Sequence, residues 1–146
     1  MWVPLDIDVR FAETDLMGVV HHSAYVVWLE AGRIAWMNAA GMPYTEVAAS
    51  GHHFAVTEIG IEYRTPAYFG DTVRLETRLV ELRSRQVGFE YQLHCLAKDA
   101  LLATGRSRHI CVDLAGQMTR IPQDVAERLT AGMARLMERT PPGMKQ

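Results

Sequence analysis

Two residues near the N-terminus, Asp15 and His22, have the types and spacing expected of a reaction centre. Both lie in residues 13–30, ETDLMGVVHHSAYVVWLE, where titratable groups stand directly before a long apolar segment. A carboxylate can act as a base or a nucleophile. The unpaired N–H groups that open a helix can stabilise negative charge on an oxygen. A carboxylate held over a helix N-terminus would therefore combine these two functions.

A helix is predicted directly after this segment, over residues 23–40. Ser23 is a candidate N-cap, with His22 as the alternative boundary residue, and Gly41 is a typical stop signal. Apolar side chains cover nearly the whole circumference, which is typical of a helix that is buried on all sides. The preceding loop, AETDLMG, is expected to fold the Asp15 carboxylate back over the helix N-terminus, with Gly18 easing the turn.

Alternation of apolar and polar residues predicts strands that surround this helix. These cover residues 5–11, 54–65, 72–82, 87–97 and 101–114. The last three are joined by short turns, which predicts an antiparallel meander covered on one face. A second helix with a single apolar stripe is predicted over residues 122–139. The sequence thus predicts one α+β domain over residues 1–146, in which an antiparallel sheet wraps around a long central helix.

Composition argues against several other classes of protein. The 146 residues carry a formal net charge of -2, so no overall basic field favours nucleic acid. Cys95 and Cys111 have no metal-ligand spacing and are expected to be reduced core thiols. The chain shows no secretory signal pattern, and its most apolar run stops at Glu30, far short of the roughly 20 residues that span a membrane. We therefore expect a cytoplasmic protein.

The segment FAETDLMGVVHHSAYVVWLEAGR, residues 11–33, resembles the signature of hotdog-fold acyl-CoA thioesterases of the 4-hydroxybenzoyl-CoA thioesterase type. That family includes the thioesterases associated with the Tol–Pal system. Its pattern is a T-D-x-x-G-V-V-x-H-x-x-Y stretch followed by a W/F-x-E-x-x-R helix. The matching residues are Thr14, Asp15, Gly18, Val19, Val20, His22, Tyr25, Glu30 and Arg33. Downstream, IEYRTPAYFGDTV also resembles the family's second strand and its turn.

The resemblance implies a hotdog fold and hydrolysis of acyl-CoA thioesters. It assigns Asp15 as general base or nucleophile and the His22 backbone N–H as the group that polarises the thioester carbonyl. In some related enzymes the histidine side chain at this position also takes part. Some members carry a tyrosine four residues before the aspartate, where this chain has Phe11.

Each candidate residue also has a purely structural interpretation. Asp15 is a residue type common in turns, and Tyr25 suits a helix core. Gly18, Tyr25 and Arg64 are nevertheless placed among the residues expected to bind substrate. Arg64 is one of several arginines that suit the CoA phosphates. Two adjacent histidine pairs, at positions 21–22 and 52–53, lack further ligands at a recognised spacing, so we expect no metal and no cofactor.

Two other functions remain open from the sequence. The chain could be a hydratase or dehydratase of acyl thioesters on the same scaffold, or an acyl-CoA-binding protein without turnover. In each case acyl-CoA is the expected partner. A single curved sheet also leaves strand edges open, and pairing across a two-fold axis closes them, so a homodimer or homotetramer is expected.

Overall fold

The computed structural model describes residues 2–138 of the chain. Within this range one five-stranded antiparallel sheet has the strand order β1-β3-β4-β5-β2. The strands are β1 (Val3–Asp8), β2 (His52–Tyr63), β3 (Thr72–Leu82), β4 (Gln86–Cys95) and β5 (Ala100–Asp113). The helices are α1 (His22–Ala39), α2 (Tyr44–Ala49) and α3 (Gln123–Glu138). The predicted meander is confirmed, because β3, β4 and β5 are neighbours in the sheet.

Helix α1 packs against the inner face of the curved sheet. Alternate residues of β4 are buried under it, as period-two patterning requires: Val87, Phe89, Tyr91, Leu93 and Cys95. Gly32 allows the close approach of α1 to β3, since a Cβ there would lie 2.5 Å from Thr77 Oγ1. The expected architecture, an antiparallel sheet around a long helix, is confirmed. Cys95 and Cys111 are both buried and free, as predicted.

The prediction that α1 is buried on all sides is wrong for this chain. Val27 is 58% exposed, and Val26 and Ile34 are also exposed on the face that points away from the sheet. The reason is geometric: one five-stranded sheet covers only one side of a helix. A row of apolar side chains therefore remains uncovered along α1.

The N-terminal boundaries differ from the predicted ones. The first strand ends at Asp8 rather than continuing to residue 11, and the chain then forms a 3-10 turn over Phe11–Glu13. Phe11 is 73% exposed as a result. Ser23 is not the N-cap of α1: the cap residue is His21, and it makes no side-chain capping hydrogen bond. Helix α2 was not predicted, because its six residues are too short to show helical periodicity.

Helix α3 confirms the predicted C-terminal helix up to Glu138, and position 139 lies outside the described residues. Two of its arginines reach the C-terminal end of α1. Arg128 donates to the Gly41 carbonyl at 2.7 Å, and Arg135 donates to the Ala39 carbonyl at 3.0 Å. These bonds satisfy carbonyls that a helix end leaves without intrahelical partners. Among residues 2–138, no helix has the length and apolar character needed to cross a membrane.

Candidate active site

Asp15 organises a tight hairpin directly before α1. Its Oδ1 accepts hydrogen bonds from the backbone N–H groups of Met17 at 2.8 Å and Val19 at 3.1 Å. The Asp15 amide in turn donates to the Val19 carbonyl at 2.8 Å. Gly18 completes the turn with φ of 77°, a left-handed conformation that favours glycine. The predicted turn at Gly18 is confirmed, and the aspartate does serve as a turn-forming residue.

The same hairpin occurs a second time in the chain, at Asp113. Its Oδ1 accepts from the amides of Ala115 at 2.9 Å and Gln117 at 3.0 Å, and Gly116 has φ of 79°. The two segments, DLMGV and DLAGQ, share the aspartate and the glycine three residues later. Asp113 pairs with His52, which is the first residue of β2, whereas Tyr63 is the last residue of that strand. The hairpin is therefore a structural unit, and only its location distinguishes Asp15.

The location of Asp15 is the N-terminus of α1. His22 is the first helical residue, one position before the predicted helix over residues 23–40, and both His22 and Ser23 are exposed. The His21 amide donates to the Glu13 carbonyl at 2.9 Å, and the Ala24 amide donates to His21 at 3.0 Å. No backbone acceptor within the described chain takes the amides of His22 or Ser23. These N–H groups, at the positive end of the helix dipole, are available to a ligand.

A cleft of about 220 Å³ opens at this helix end. It is lined by Val20, His22, Tyr25, Tyr63, Arg64, Thr65 and Pro66. The structure thus brings together three of the predicted site residues, namely His22, Tyr25 and Arg64. Asp15 and Gly18 do not line the cleft themselves. They lie in the adjoining hairpin. Val20, which directly follows that hairpin and lines the cleft, donates its backbone N–H to the Ala67 carbonyl at 2.9 Å.

Two tyrosines form one wall of the cleft. Tyr25 is 3% exposed, and its ring packs edge-on against Tyr63 with centroids 4.9 Å apart. The Tyr63 hydroxyl donates to the His22 carbonyl at 3.1 Å. Burial raises the pKa of both tyrosines above the usual value, although a backbone hydrogen bond at Ala67 partly offsets this for Tyr25. Both phenols are therefore neutral at physiological pH, where they can donate hydrogen bonds.

Arg64 supplies positive charge at the rim of the cleft. It is exposed and lies 3.6 Å from the Glu62 carboxylate, and its amide donates to the Leu102 carbonyl at 2.8 Å. This backbone bond fixes the residue just after the end of β2. An exposed guanidinium here is well placed to meet an anionic group that enters from solvent.

Two contributors to the site were missed by sequence reasoning. Tyr63 was assigned only as a strand residue, and its contact with His22 joins positions 41 residues apart. Glu13 was not singled out, yet its carboxylate accepts a hydrogen bond from the Trp28 indole at 2.7 Å. A glutamate two positions before Asp15 was the available signal. Among residues 2–138, no group of three or more metal-binding side chains comes together.

Comparison with known proteins places this site in a family. A family model described as the thioesterase-like superfamily matches residues 9–129, which include the hairpin, the cleft and every strand of the sheet except β1. The chain belongs to this superfamily. Its hotdog fold, expected from the sequence, is thereby confirmed.

Similar proteins in the thioesterase-like superfamily come from several bacteria. Bacillus subtilis YneP, named as a candidate acyl-CoA thioesterase, is 35% identical over 108 residues, covering 74% of this chain and 78% of the relative. Escherichia coli O6:H1 YbgC, an acyl-CoA thioester hydrolase, is 27% identical over 72% of this chain and 78% of its own. The crystal structure of Thermus thermophilus TT1821 is 45% identical, with a TM-score of 0.82, and covers 89% of this chain and 96% of that one.

Proposed function

We propose that this protein hydrolyses acyl-CoA thioesters to a free carboxylic acid and CoA. The observation that carries the proposal is the cleft at the start of α1, where unpaired helix amides lie beside the Asp15 hairpin. Membership of the thioesterase-like superfamily supports the reaction class. The names of the relatives YneP and YbgC support acyl-CoA as the substrate.

In the proposed mechanism, Asp15 is the general base or the nucleophile. As a base, it takes a proton from water while the oxygen of that water bonds to the thioester carbon. Negative charge then grows on the carbonyl oxygen, and the His22 N–H at the helix N-terminus stabilises it. The tetrahedral intermediate collapses, the carbon–sulfur bond breaks, and the sulfur takes the proton held by Asp15, so that CoA leaves as the thiol. As a nucleophile, the Asp15 carboxylate instead attacks that carbon, expels CoA as the thiolate and forms an anhydride; water then hydrolyses the anhydride to the free acid and restores the carboxylate.

The other predicted residues complete this site. The exposed His22 side chain lies at the cleft and is available for proton transfer. Tyr25 forms the wall that faces the acyl group, and Gly18 sets the turn that directs the Asp15 carboxylate. Arg64 at the rim meets the anionic CoA moiety. The reaction needs water only, so we propose no metal and no cofactor.

The proposal extends to family placement and location. The motif over residues 11–33 supports the 4-hydroxybenzoyl-CoA thioesterase branch, which includes the Tol–Pal-associated enzymes. Phe11 replaces the tyrosine that some members carry, and here it is a surface residue stacked edge-on against Phe69 with centroids 5.7 Å apart. A hydroxyl at that position is therefore absent from the proposed mechanism. The expected location is the cytoplasm, where the protein would meet acyl-CoA as its substrate.

We also propose a homodimer as the basic unit, alone or within a homotetramer. Strand β2 is an edge of the sheet, and Ile59 on it is 37% exposed. The uncovered apolar row of α1, with Val26, Val27 and Ile34, lies on the face that the sheet leaves open. A second copy would cover both features. Analytical ultracentrifugation at micromolar concentration should detect a dimer or a tetramer, and a monomer would contradict the proposal.

The reaction is tested by a thiol-release panel of short-chain, long-chain and aromatic acyl-CoAs. We expect release from at least one substrate, and loss of most turnover in Asp15→Asn. A parallel assay of enoyl-CoA hydration tests the hydratase alternative. Hydration without thiol release would replace the proposal by that alternative. Binding of acyl-CoA without turnover in either assay would indicate a non-catalytic binding protein.

A further inference from the structure

The Glu13 carboxylate is held by three donors next to the proposed site. Its Oε1 accepts the Arg10 backbone N–H at 2.8 Å, and its Oε2 accepts the Trp28 indole N–H at 2.7 Å. The Arg10 guanidinium contributes a longer contact of 3.4 Å. The side chain is only 9% exposed, and its bond to the Trp28 indole is partly buried, whereas the two contacts with Arg10 are exposed.

The backbone of Glu13 closes the base of the Asp15 hairpin. Its carbonyl accepts the His21 amide at 2.9 Å. Nearer the tip of the hairpin, the Asp15 amide donates to the Val19 carbonyl at 2.8 Å. His21 is also the cap residue of α1, whereas Trp28 lies in the body of that helix. Glu13 thus attaches the hairpin to α1 at two points, His21 and Trp28, roughly 10 Å apart along the axis at 1.5 Å per residue.

Glu13 itself is not a candidate base. Burial raises the pKa of its carboxyl, but hydrogen bonds from the Arg10 amide and the Trp28 indole outweigh that effect, and the pKa lies below its ordinary value. The side chain is therefore ionised at neutral pH, and both oxygens already accept hydrogen bonds. It has little tendency to accept a proton from a substrate or water.

From these contacts we infer that Glu13 is a positioning residue, which holds the Asp15 carboxylate in register with the N-terminus of α1 through the Trp28 indole. The inference rests on the proposed function, since it assigns Glu13 to the reaction performed by Asp15. Small displacements of a catalytic group are costly, and a shift of about 1 Å can lower a rate about 100-fold.

Two substitutions disturb the Glu13–Trp28 hydrogen bond, called the clamp below, from its two sides. Glu13→Gln leaves one oxygen for two donors, so either the Arg10 amide or the Trp28 indole faces an NH2 group and the other meets only a neutral acceptor. Trp28→Phe removes the indole donor. We expect kcat for thiol release to fall roughly 10- to 100-fold in each variant, with KM changed less than about threefold because neither side chain lines the cleft. The double variant should resemble the single ones, because both remove the same contact.

Trp36→Phe is the matched control. It makes the same change of ring within α1, where Trp36 packs on Phe89 with centroids 5.7 Å apart and is 1% exposed. It should lower the unfolding temperature and leave kcat near the wild-type value. A similar fall in kcat for Trp36→Phe and Trp28→Phe would show that general loosening of the core is responsible, which would overturn the inference.

A spectroscopic readout tests the clamp without turnover. The indole N–H proton of Trp28 should resonate downfield in the wild type, as a hydrogen bond to a carboxylate requires, and should move upfield in Glu13→Gln. An unmoved resonance would overturn the clamp. If the resonance moves while kcat stays at the wild-type value, the positioning role is overturned.

The Asp15→Asn background separates this inference from the proposed function. Adding Glu13→Gln to Asp15→Asn should cause no further loss of kcat, because Glu13 acts through Asp15. A further loss as large as in the wild-type background would overturn the positioning role alone. Equal thiol release by Asp15→Asn and the wild type would instead overturn the proposed function.

Discussion

Asp15→Asn is the most informative single change, because the chain contains its own control. The substitution removes the negative charge and keeps an oxygen at Oδ1, which still accepts from the amides of Met17 and Val19. The hairpin should therefore persist. Asp113→Asn makes the same change in a hairpin with the same two acceptor contacts, at the other end of β2.

The two effects differ in expected size. Hydrogen bonds to charged acceptors contribute about 1.5–3 kcal/mol and neutral ones about 0.5–1.5, so two weakened bonds cost about 2–3 kcal/mol of unfolding free energy. Solvent at these partly exposed hairpins reduces that cost, and it should be similar at the two positions. A general base contributes roughly 10²- to 10⁴-fold to a rate, which is about 2.7–5.4 kcal/mol of activation free energy. That term should be lost only in Asp15→Asn.

The assay compares kcat for thiol release with urea unfolding for the wild type and both variants. We expect similar unfolding free energies for the two variants, within about 0.5 kcal/mol of each other. We expect kcat to fall at least 100-fold in Asp15→Asn and to remain within about twofold in Asp113→Asn. The proposed role of Asp15 would be refuted by turnover near the wild-type level in both variants, or by equal losses in both.

The hairpin turns, the helix contact and a buried histidine give further predictions. Gly18→Ala and Gly116→Ala each place a side chain at φ near 80° and should cost about 1–2 kcal/mol of stability, but only Gly18→Ala should lower kcat. Gly32→Ala forces a Cβ to within 2.5 Å of Thr77 Oγ1 and should destabilise the fold by about 1–3 kcal/mol in thermal unfolding. Burial and the nearby Arg33 guanidinium on α1 lower the pKa of His109 to about 4. As pH falls, His109 therefore takes up a proton in the unfolded chain before it does so in the folded protein. Stability should then decrease between about pH 6.5 and pH 4, by up to about 3 kcal/mol, and His109→Gln should reduce this decrease.

Each of these has a contrary result that is easy to recognise. Equal losses of kcat for the two alanine variants of the hairpin glycines would show that the turn next to α1 has no special role. An unchanged unfolding temperature for Gly32→Ala would mean that α1 and β3 separate at little cost. The same acid-induced loss of stability in His109→Gln and the wild type would assign that loss to other groups.

Local patterns were sufficient to predict the fold. The alternation in β3, β4 and β5 and the apolar helix before them are properties of short windows, and the meander follows because its turns are short. The resemblance over residues 11–33 led to Asp15 and His22 in the same way, since the motif is contiguous. The position of Gly18 could be predicted because a turn with a left-handed backbone favours glycine locally, whatever the rest of the chain does.

Only the tertiary structure decided which distant residues meet. Strand β2 carries a register shift between Val56 and Glu58, so Phe54 and Tyr63 face the same side of the sheet although one is even-numbered and the other odd. A shift of one residue reverses the face of every side chain beyond it, and no window of sequence shows where it occurs. The register of β2 therefore determines that Tyr63 reaches His22. The sequence also could not show that one face of α1 is exposed, because the number of sides that a sheet can cover depends on its width and curvature and not on the helix sequence.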